Sequence, residues 1–598
     1  MKRREFIKYG SAGLATLAVG GVGYSVLGSR RAFGATIDIA LTIEEVDVEL
    51  VDGTTVFMWA FSDPSNGPRV PGPVIEARDD DTIRITITNN ADAFFAHEFA
   101  IPGLTGSVPI PFGTSVTVEI VEPTAGTYMY LDPLNAPVNR VLGLHGALVV
   151  LPRSASENTP YSTPTPRVQA LFNDLGTTAA FPGKPWGEGL RGSLSLNKGV
   201  HHEANLGGQT WVWVFNEIDP QWNAMAAANV MIDHIAFIAG FLPRYFTING
   251  ESGFFSAHNR NTAPHSNEGE PALIRCINAG LGTRPPHIHG NHIYVLSDIE
   301  DDGSLKVLEN VIEKDTWTMK PEHRVDVLLP YRQPPDAIPW PPVEEPFPLK
   351  YPMHPHDEIS QTAAGGMYPQ GQITHWVMEE PLPLAGPFSS ALPEEEETFE
   401  TFGCQVPHEN PDTPDEMPPN VELTRKFFGS GEVIMPDGEE VRFWGFEDPD
   451  DPNDIREPVP SAPIRVREGR IVQVTLKSSK GTHTIHLHGI EPTTRNDGVG
   501  HASFEVSGSY TYQFKASQAG TFFYHCHKNT TLHFEMGMFG PLIVDPPEGP
   551  GTAFSGGPTY DCEALWVADD VDPTWRELGH DAGLCGDDAG LNDFNPQY

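Results

Sequence analysis

The sequence predicts an all-β protein built from three Greek-key β-sandwich domains in tandem. Glycine and proline number 58 and 57 in 598 residues, a turn-rich composition that leaves little room for long helices. Short alternating runs such as Thr82-Ile83-Arg84-Ile85-Thr86-Ile87 and Ile471-Val472-Gln473-Val474-Thr475-Leu476 read as half-buried strands of antiparallel sandwiches. The chain also repeats itself. Asp52-Gly53-Thr54-Thr55-Val56-Phe57-Met58-Trp59 returns as Asp437-Gly438-Glu439-Glu440-Val441-Arg442-Phe443-Trp444, and Tyr130 to Gly146 aligns without a gap onto Tyr524 to Gly540. The first and last domains are therefore copies of one fold.

Taken in order, residues 1–35 read as a targeting segment. Lys2-Arg3-Arg4-Glu5-Phe6-Ile7-Lys8 resembles a twin-arginine signal, and a weakly apolar run from Tyr9 to about Gly28 follows it. Cleavage near Ala35 would deliver a folded protein to the periplasm or the outside of the cell. Left in place, the run is just long enough to act as an anchor. Domain 1 is placed at 36–155, domain 2 at 165–385, domain 3 at 400–546 and a Gly/Asp-rich tail at 547–598. Runs such as Thr210-Trp211-Val212-Trp213-Val214-Phe215 and Arg324-Val325-Asp326-Val327-Leu328-Leu329 give domain 2 its strands. The segment from Pro334 to Pro348 reads as a surface loop, and Pro393-Glu394-Glu395-Glu396-Glu397 as a linker.

Eighty acidic residues against 38 basic ones give a net charge of −42. That balance argues against nucleic acid as a partner and for a strongly hydrated surface. Five cysteines are too few for a disulfide scaffold. Cys276 lies in the apolar run Ala272-Leu273-Ile274-Arg275-Cys276-Ile277 and reads as a buried small hydrophobe. Cys404, Cys562 and Cys585 lie in loop-like segments. Export would let two of them pair, Cys562 with Cys585 being the first choice, although sequence does not fix the pairing.

The chemistry concentrates at Thr521 to Met538. On a strand, His525 and His527 point one way and Cys526 the other. A thiolate with His533, a weak axial Met538 and one more imidazole is the ligand set of a blue-copper electron-transfer site. Four His-X-His pairs accompany it: His287-Ile288-His289, His354-Pro355-His356, His486-Leu487-His488 and His525-Cys526-His527. Alternation puts both imidazoles of each pair on one side, so two facing domains can supply eight ligands to one cluster.

These four pairs, with His483 three residues ahead of His486, resemble the copper signature of the multicopper oxidases, the laccase-like family of cupredoxin repeats. The resemblance covers almost all of the mature chain and implies three cupredoxin-like domains. It implies a type 1 copper on His483, Cys526 and His533 with Met538 axial, and a type 2 copper on His287 and His486. A type 3 pair would sit on His289, His354, His356, His488, His525 and His527, for about four copper ions per chain. The implied reaction takes single electrons from a small reducing substrate, a phenol, an aromatic amine, Fe(II) or Mn(II), and passes them through Cys526, His525 and His527. Dioxygen is reduced to water at the trinuclear cluster. Asp357, Glu358 and Asp497 are candidate proton relays or, equally, capping carboxylates. The acidic balance leans toward a cationic substrate.

The chain departs from the usual family pattern in two ways. Its first two His-X-His pairs stand on domain 2 rather than domain 1, and seven residues separate Cys526 from His533. The gapless alignment sets Leu131, Asp132 and Pro133 against His525, Cys526 and His527, and Asn139 and Leu144 against His533 and Met538. It further sets Phe94 and Phe99 against His483 and His488, leaving His97 opposite His486. Domain 1 is thus expected to be copper-free, with His97 and His145 structural. Domain 2 should lack a type 1 site, Arg284 and Pro355 standing where ligands would be, and Met367 is read as loop packing. Two-domain laccases assemble their cluster between subunits of a trimer, so a homotrimer is one expectation. The rival functions are a copper nitrite reductase, which needs only three cluster histidines, and a non-catalytic copper carrier.

Overall fold

In the strand Thr82–Asn89, Ile83, Ile85 and Ile87 are buried, while Arg84 and Thr86 face outward to meet Glu119 and Thr117 at 2.8 and 2.9 Å. This alternation recurs through the computed structural model. It describes residues 34–91, 96–152, 159–175, 210–332, 347–380, 399, 402–403, 406, 408–409, 419–451, 459–582 and 594–598. The twin-arginine segment, the acidic linker, most of the loop after Pro334, Phe94, Cys404 and Cys585 lie outside those residues. Cys562 is exposed and unbridged among the described residues. No described helix is long and apolar enough to cross a membrane.

Three sandwiches follow one another. In domain 1, a five-stranded sheet ordered Gly67–Arg69, Thr55–Asp63, Thr36–Glu49, Thr82–Asn89 and Ser115–Val121 faces a sheet of Ile75–Arg78, His145–Leu151 and Gly126–Leu131. In domain 2 the second sheet runs His265–Asn267, Thr374–Glu379, Leu349–Pro355, Pro286–Ile288, and in domain 3 it runs Ile464–Arg467, Phe539–Asp545, Gly520–His525, His486–His488. In each, the strand second in order has a parallel neighbour on one side and an antiparallel one on the other. The repeat read from domains 1 and 3 therefore extends to domain 2. The domains also interlock. Trp222, Ala226, Ile232 and Phe237 of domain 2 are buried in the core of domain 1, and the Arg140 guanidinium of domain 1 donates to the carbonyls of Ala279 and Gly280.

Domain 1 preserves the outline of a metal site without its ligands. Ala100 bridges Leu131 where His486 pairs with His525, so His97 is the counterpart of His483, not of His486. The alignment in sequence was three residues out of register. His97 Nδ1 donates to Asp132, the counterpart of Cys526, at 2.8 Å, and Asn139 Nδ2, the counterpart of His533, donates to the same oxygen at 2.9 Å. The backbone N–H groups of Glu98 and Leu134 complete the carboxylate's shell at 3.1 and 2.8 Å. A hydrogen-bonded, fully buried carboxylate thus stands where domain 3 has Cys526. Replacing Asp132 with alanine strands two buried side-chain donors and two part-buried backbone N–H groups and should cost domain 1 about 3 kcal/mol. Denaturant unfolding would show the loss, while bound copper per chain stays unchanged.

The tail, which carries little strand signal, is nevertheless part of domain 3. Its helix Pro573–Leu578 is capped by Asp572, whose side chain accepts from Thr574 N and Trp575 N, and Trp575 is fully buried in the domain 3 core.

Candidate metal centre

Strand pairing assembles the histidines. His486 lies opposite His525 in domain 3, and His287 lies opposite His354 in domain 2. Each domain thus offers two His-X-His pairs on adjoining strands, and the two sets face each other across the domain boundary. Gly290 and Gly489, which end two of the pairs, take φ of 78° and 84°, and a Cβ at either would strike the Tyr351 or Phe522 ring at 2.6 or 2.5 Å.

All eight imidazoles meet in one chamber within a single chain. His289, His354 and His527 form one group, with His289 Nε2 and His527 Nε2 each 3.0 Å from His354 Nε2. Rings of His356 and His488 lie 4.5 Å apart, with His525 at 5.6 and 6.2 Å from them. His287 and His486 stand 5.8 Å apart beside both groups. Burial and the neighbouring imidazoles push His287, His289, His354, His356, His525 and His527 well below the ordinary histidine range. They are therefore neutral, the form that ligates a metal.

The hydrogen bonds state which nitrogen is free. His289 Nδ1 is held by Asp497 Oδ2 at 3.0 Å, His354 Nδ1 by the Pro355 carbonyl at 3.1 Å and His527 Nδ1 by Thr530 Oγ1 at 3.0 Å. His486 Nδ1 donates to the Asp497 carbonyl at 2.7 Å and His525 Nδ1 to the Cys526 carbonyl at 3.1 Å. With Nδ1 carrying the proton, the Nε2 lone pairs of His289, His354 and His527 point at one another, an arrangement that a cation resolves. The Nε2 atoms of His287, His356, His486 and His525 and Nδ1 of His488 are buried without a hydrogen-bond partner. This donor set fits bound metal.

On the other side of the strand His483, Cys526 and His533 form a further group. Cys526 Sγ lies 3.1 Å from His533 Nδ1 and receives the Thr484 N–H at 3.5 Å, while Cys526 N–H donates to the Met538 carbonyl at 3.0 Å. Met538 is fully buried on the same loop. His483 Nε2 donates to the Lys480 carbonyl at 3.1 Å, leaving a buried, unpartnered Nδ1 for a ligand. The structure thus brings the eight paired histidines into neighbouring groups and His483, Cys526 and His533 into another.

The carboxylates divide. Asp497, on domain 3, grips one histidine from each domain. Asp357 instead pairs with Arg284, which also binds Glu217. That cluster of charges fills the domain 2 position equivalent to a type 1 site, and burial pushes Asp357 up to about 6 despite Arg284. Glu358 reaches His356 Nδ1 at 2.8 Å. Met367 is buried in a hydrophobic cluster, as loop packing requires. Sequence reading missed Asp315, which lies 3.1 Å from His488 Nε2 and 3.5 Å from His287 Nδ1. It sits in the wall of a cavity of about 920 Å³ that reaches His356 and His488. Its run, Glu313-Lys314-Asp315-Thr316, carries no motif; the bridge between Thr316 and His287 brings it there.

A buried Cys/His site with Met538 on its loop, beside an eight-histidine chamber between two β-sandwiches, defines a copper protein of cupredoxin-like domains. Residues 454–549 match the family model described as multicopper oxidase. The copper-containing nitrite reductase of Neisseria meningitidis serogroup B is 34% identical over 119 residues, 20% of this chain and 28% of that protein. The L-ascorbate oxidase of Cucumis sativus is 37% identical over 102 residues, 16% of this chain and 17% of that protein. The chain therefore spans less than a third of the length of these two relatives. A blue copper oxidase structure from Nitrosomonas europaea aligns with a TM-score of 0.40 at 20% identity, covering 57% of this chain and 86% of that one.

Proposed function

We propose that the protein is an oxidase that takes single electrons from a small reducing substrate and delivers them to dioxygen, forming water. The observation that carries this reading is the eight-imidazole chamber directly behind Cys526. His483, Cys526 and His533, together with Met538, would hold a type 1 copper. His287 and His486 would hold a type 2 copper, and the groups His289/His354/His527 and His356/His488/His525 a type 3 pair, four ions in all. Copper so bound supplies one-electron storage on the thiolate side and dioxygen reduction on the histidine side. The chain's own part is to keep the imidazoles neutral and oriented, through Asp497, Thr530 and backbone carbonyls, and to join the sites covalently through Cys526 and its two neighbours. Asp315 and Glu358, 3.1 Å from His488 Nε2 and 2.8 Å from His356 Nδ1, lie where they could hand protons toward the chamber. All eight imidazoles come from one chain, which supports a catalytic monomer over the homotrimer; sedimentation of the copper-loaded protein distinguishes them. Export by the twin-arginine route would suit a protein that folds around its metal.

The similarity to a nitrite reductase favours a second reading, but a three-histidine catalytic site leaves five of the eight imidazoles without a task. Copper-loaded protein supplied with a reductant should consume oxygen and leave nitrite untouched. Nitrite turnover without oxygen uptake, or copper well below four per chain, would replace the proposal.

A further inference from the structure

We propose that Tyr368, on domain 2, is a positioning residue for His527, on domain 3: acting through Thr530, it fixes the tautomer in which His527 Nε2 is bare and faces the chamber. This deepens the oxidase reading above and rests on it. Tyr368 is 2% exposed and packs with Ala257, Ile373 and Phe402. Its hydroxyl lies 3.1 Å from Thr530 Oγ1, and Thr530 Oγ1 lies 3.0 Å from His527 Nδ1. A phenol of one domain thereby reaches an imidazole of the other through one fully buried threonine.

The threonine sets the direction of these bonds. Its hydroxyl has one proton to donate and two lone pairs with which to accept. Given to the phenol oxygen, that proton leaves Oγ1 able only to accept, so the neutral His527 ring carries its hydrogen on Nδ1 and bares Nε2, the nitrogen 3.0 Å from His354 Nε2. Without the phenol oxygen, His527 Nδ1 becomes the near acceptor for the same proton. The imidazole hydrogen then belongs on Nε2, where it points into the chamber and blocks a metal.

The surrounding chain is fastened separately. His527 N–H donates to Thr484 Oγ1 at 2.8 Å, which holds its backbone. Thr530 and Thr531 open the helix Thr530–Glu535, and Thr531 Oγ1 donates to the Glu358 carbonyl of domain 2 at 2.6 Å. The seven-residue spacing from Cys526 to His533, one of the departures from the usual pattern, places this threonine pair between the two centres. Thr531 thus ties the helix to domain 2 without Tyr368, and the phenol hydroxyl is left with the orientation of one imidazole.

The test uses the full chain, stripped of copper and titrated with copper alone. Tyr368→Phe keeps the ring and its packing; it should keep the blue absorption and weaken the binding of one chamber copper by about tenfold. Thr530→Val should show at least that loss, and adding Tyr368→Phe to it should cost nothing more, because the phenol acts through Oγ1. Thr530→Ser, which keeps the hydroxyl, should bind as the wild type does. Nitrogen NMR of the histidine-labelled, copper-free chain should place the His527 hydrogen on Nδ1 in the wild type and on Nε2 in Tyr368→Phe. Undiminished chamber copper in Tyr368→Phe, losses that add in the double variant, or an unmoved hydrogen would each overturn the inference. A wild-type protein that holds copper at the thiolate site alone would overturn the oxidase reading itself.

Discussion

Cys526→Ser is expected to abolish both the blue absorption and oxygen consumption while removing one copper per chain and leaving the rest. Cys526 is fully buried between His533 Nδ1 and the Thr484 N–H. Burial pushes its thiol up to about 11 in the metal-free protein, so a bound cation is what makes it a thiolate. A serine hydroxyl is a hard, weakly acidic donor that cannot reproduce a soft thiolate, and the site loses its strongest ligand. The histidine chamber should survive. His525 and His527 are held by strand pairing, by the Cys526 carbonyl and by Thr530, none of which uses the sulfur atom. Copper analysis with optical and electron-paramagnetic spectra measures both halves of the result. Loss of all the copper would show that the two centres assemble as one unit.

Such separability was readable in the sequence, because strand alternation alone assigns His525 and His527 to one side and Cys526 to the other. The same rule located the other three His-X-His pairs. What it did not give was register. His97 was matched to His486 by residue type, whereas hydrogen bonding puts Ala100 at that position, and the three-residue slip concealed the His97–Asp132–Asn139 remnant. Asp315 was invisible for a related reason: it reaches His287 across a bridge between segments with no shared motif. The tail failed differently. Gly and Asp dominate its composition, and its short helix is stabilised by Trp575 in the core and by the Glu535–Arg576 pair, contacts that exist only once domain 3 has folded. Short-range pattern therefore named the ligands, while long-range packing supplied the groups that orient and cover them.

Asp497→Ala is the second substitution expected to have a large effect, and it tests how the chamber is held closed. Asp497 Oδ2 binds His289 Nδ1 at 3.0 Å, Oδ1 lies 3.2 Å from His486 Nδ1, and its own carbonyl accepts from that nitrogen at 2.7 Å. His289 belongs to domain 2 and His486 to domain 3, so one residue sets imidazoles on both faces of the interface. Alanine keeps the carbonyl and loses the carboxylate. His486 should stay oriented while His289 is freed to turn, and the copper affected would be the one proposed for the His289, His354 and His527 group. Loss of a partner that orients a metal-ligating histidine typically costs about 10- to 100-fold in metal affinity or activity, and that range is expected here, with the blue band intact. Asp497→Asn retains an acceptor oxygen and should lie between alanine and wild type. Because only folding brings these histidines together, the gain in thermal stability on adding copper should shrink in step with affinity. A full copper-induced stabilisation in Asp497→Ala would mean that strand pairing alone positions His289.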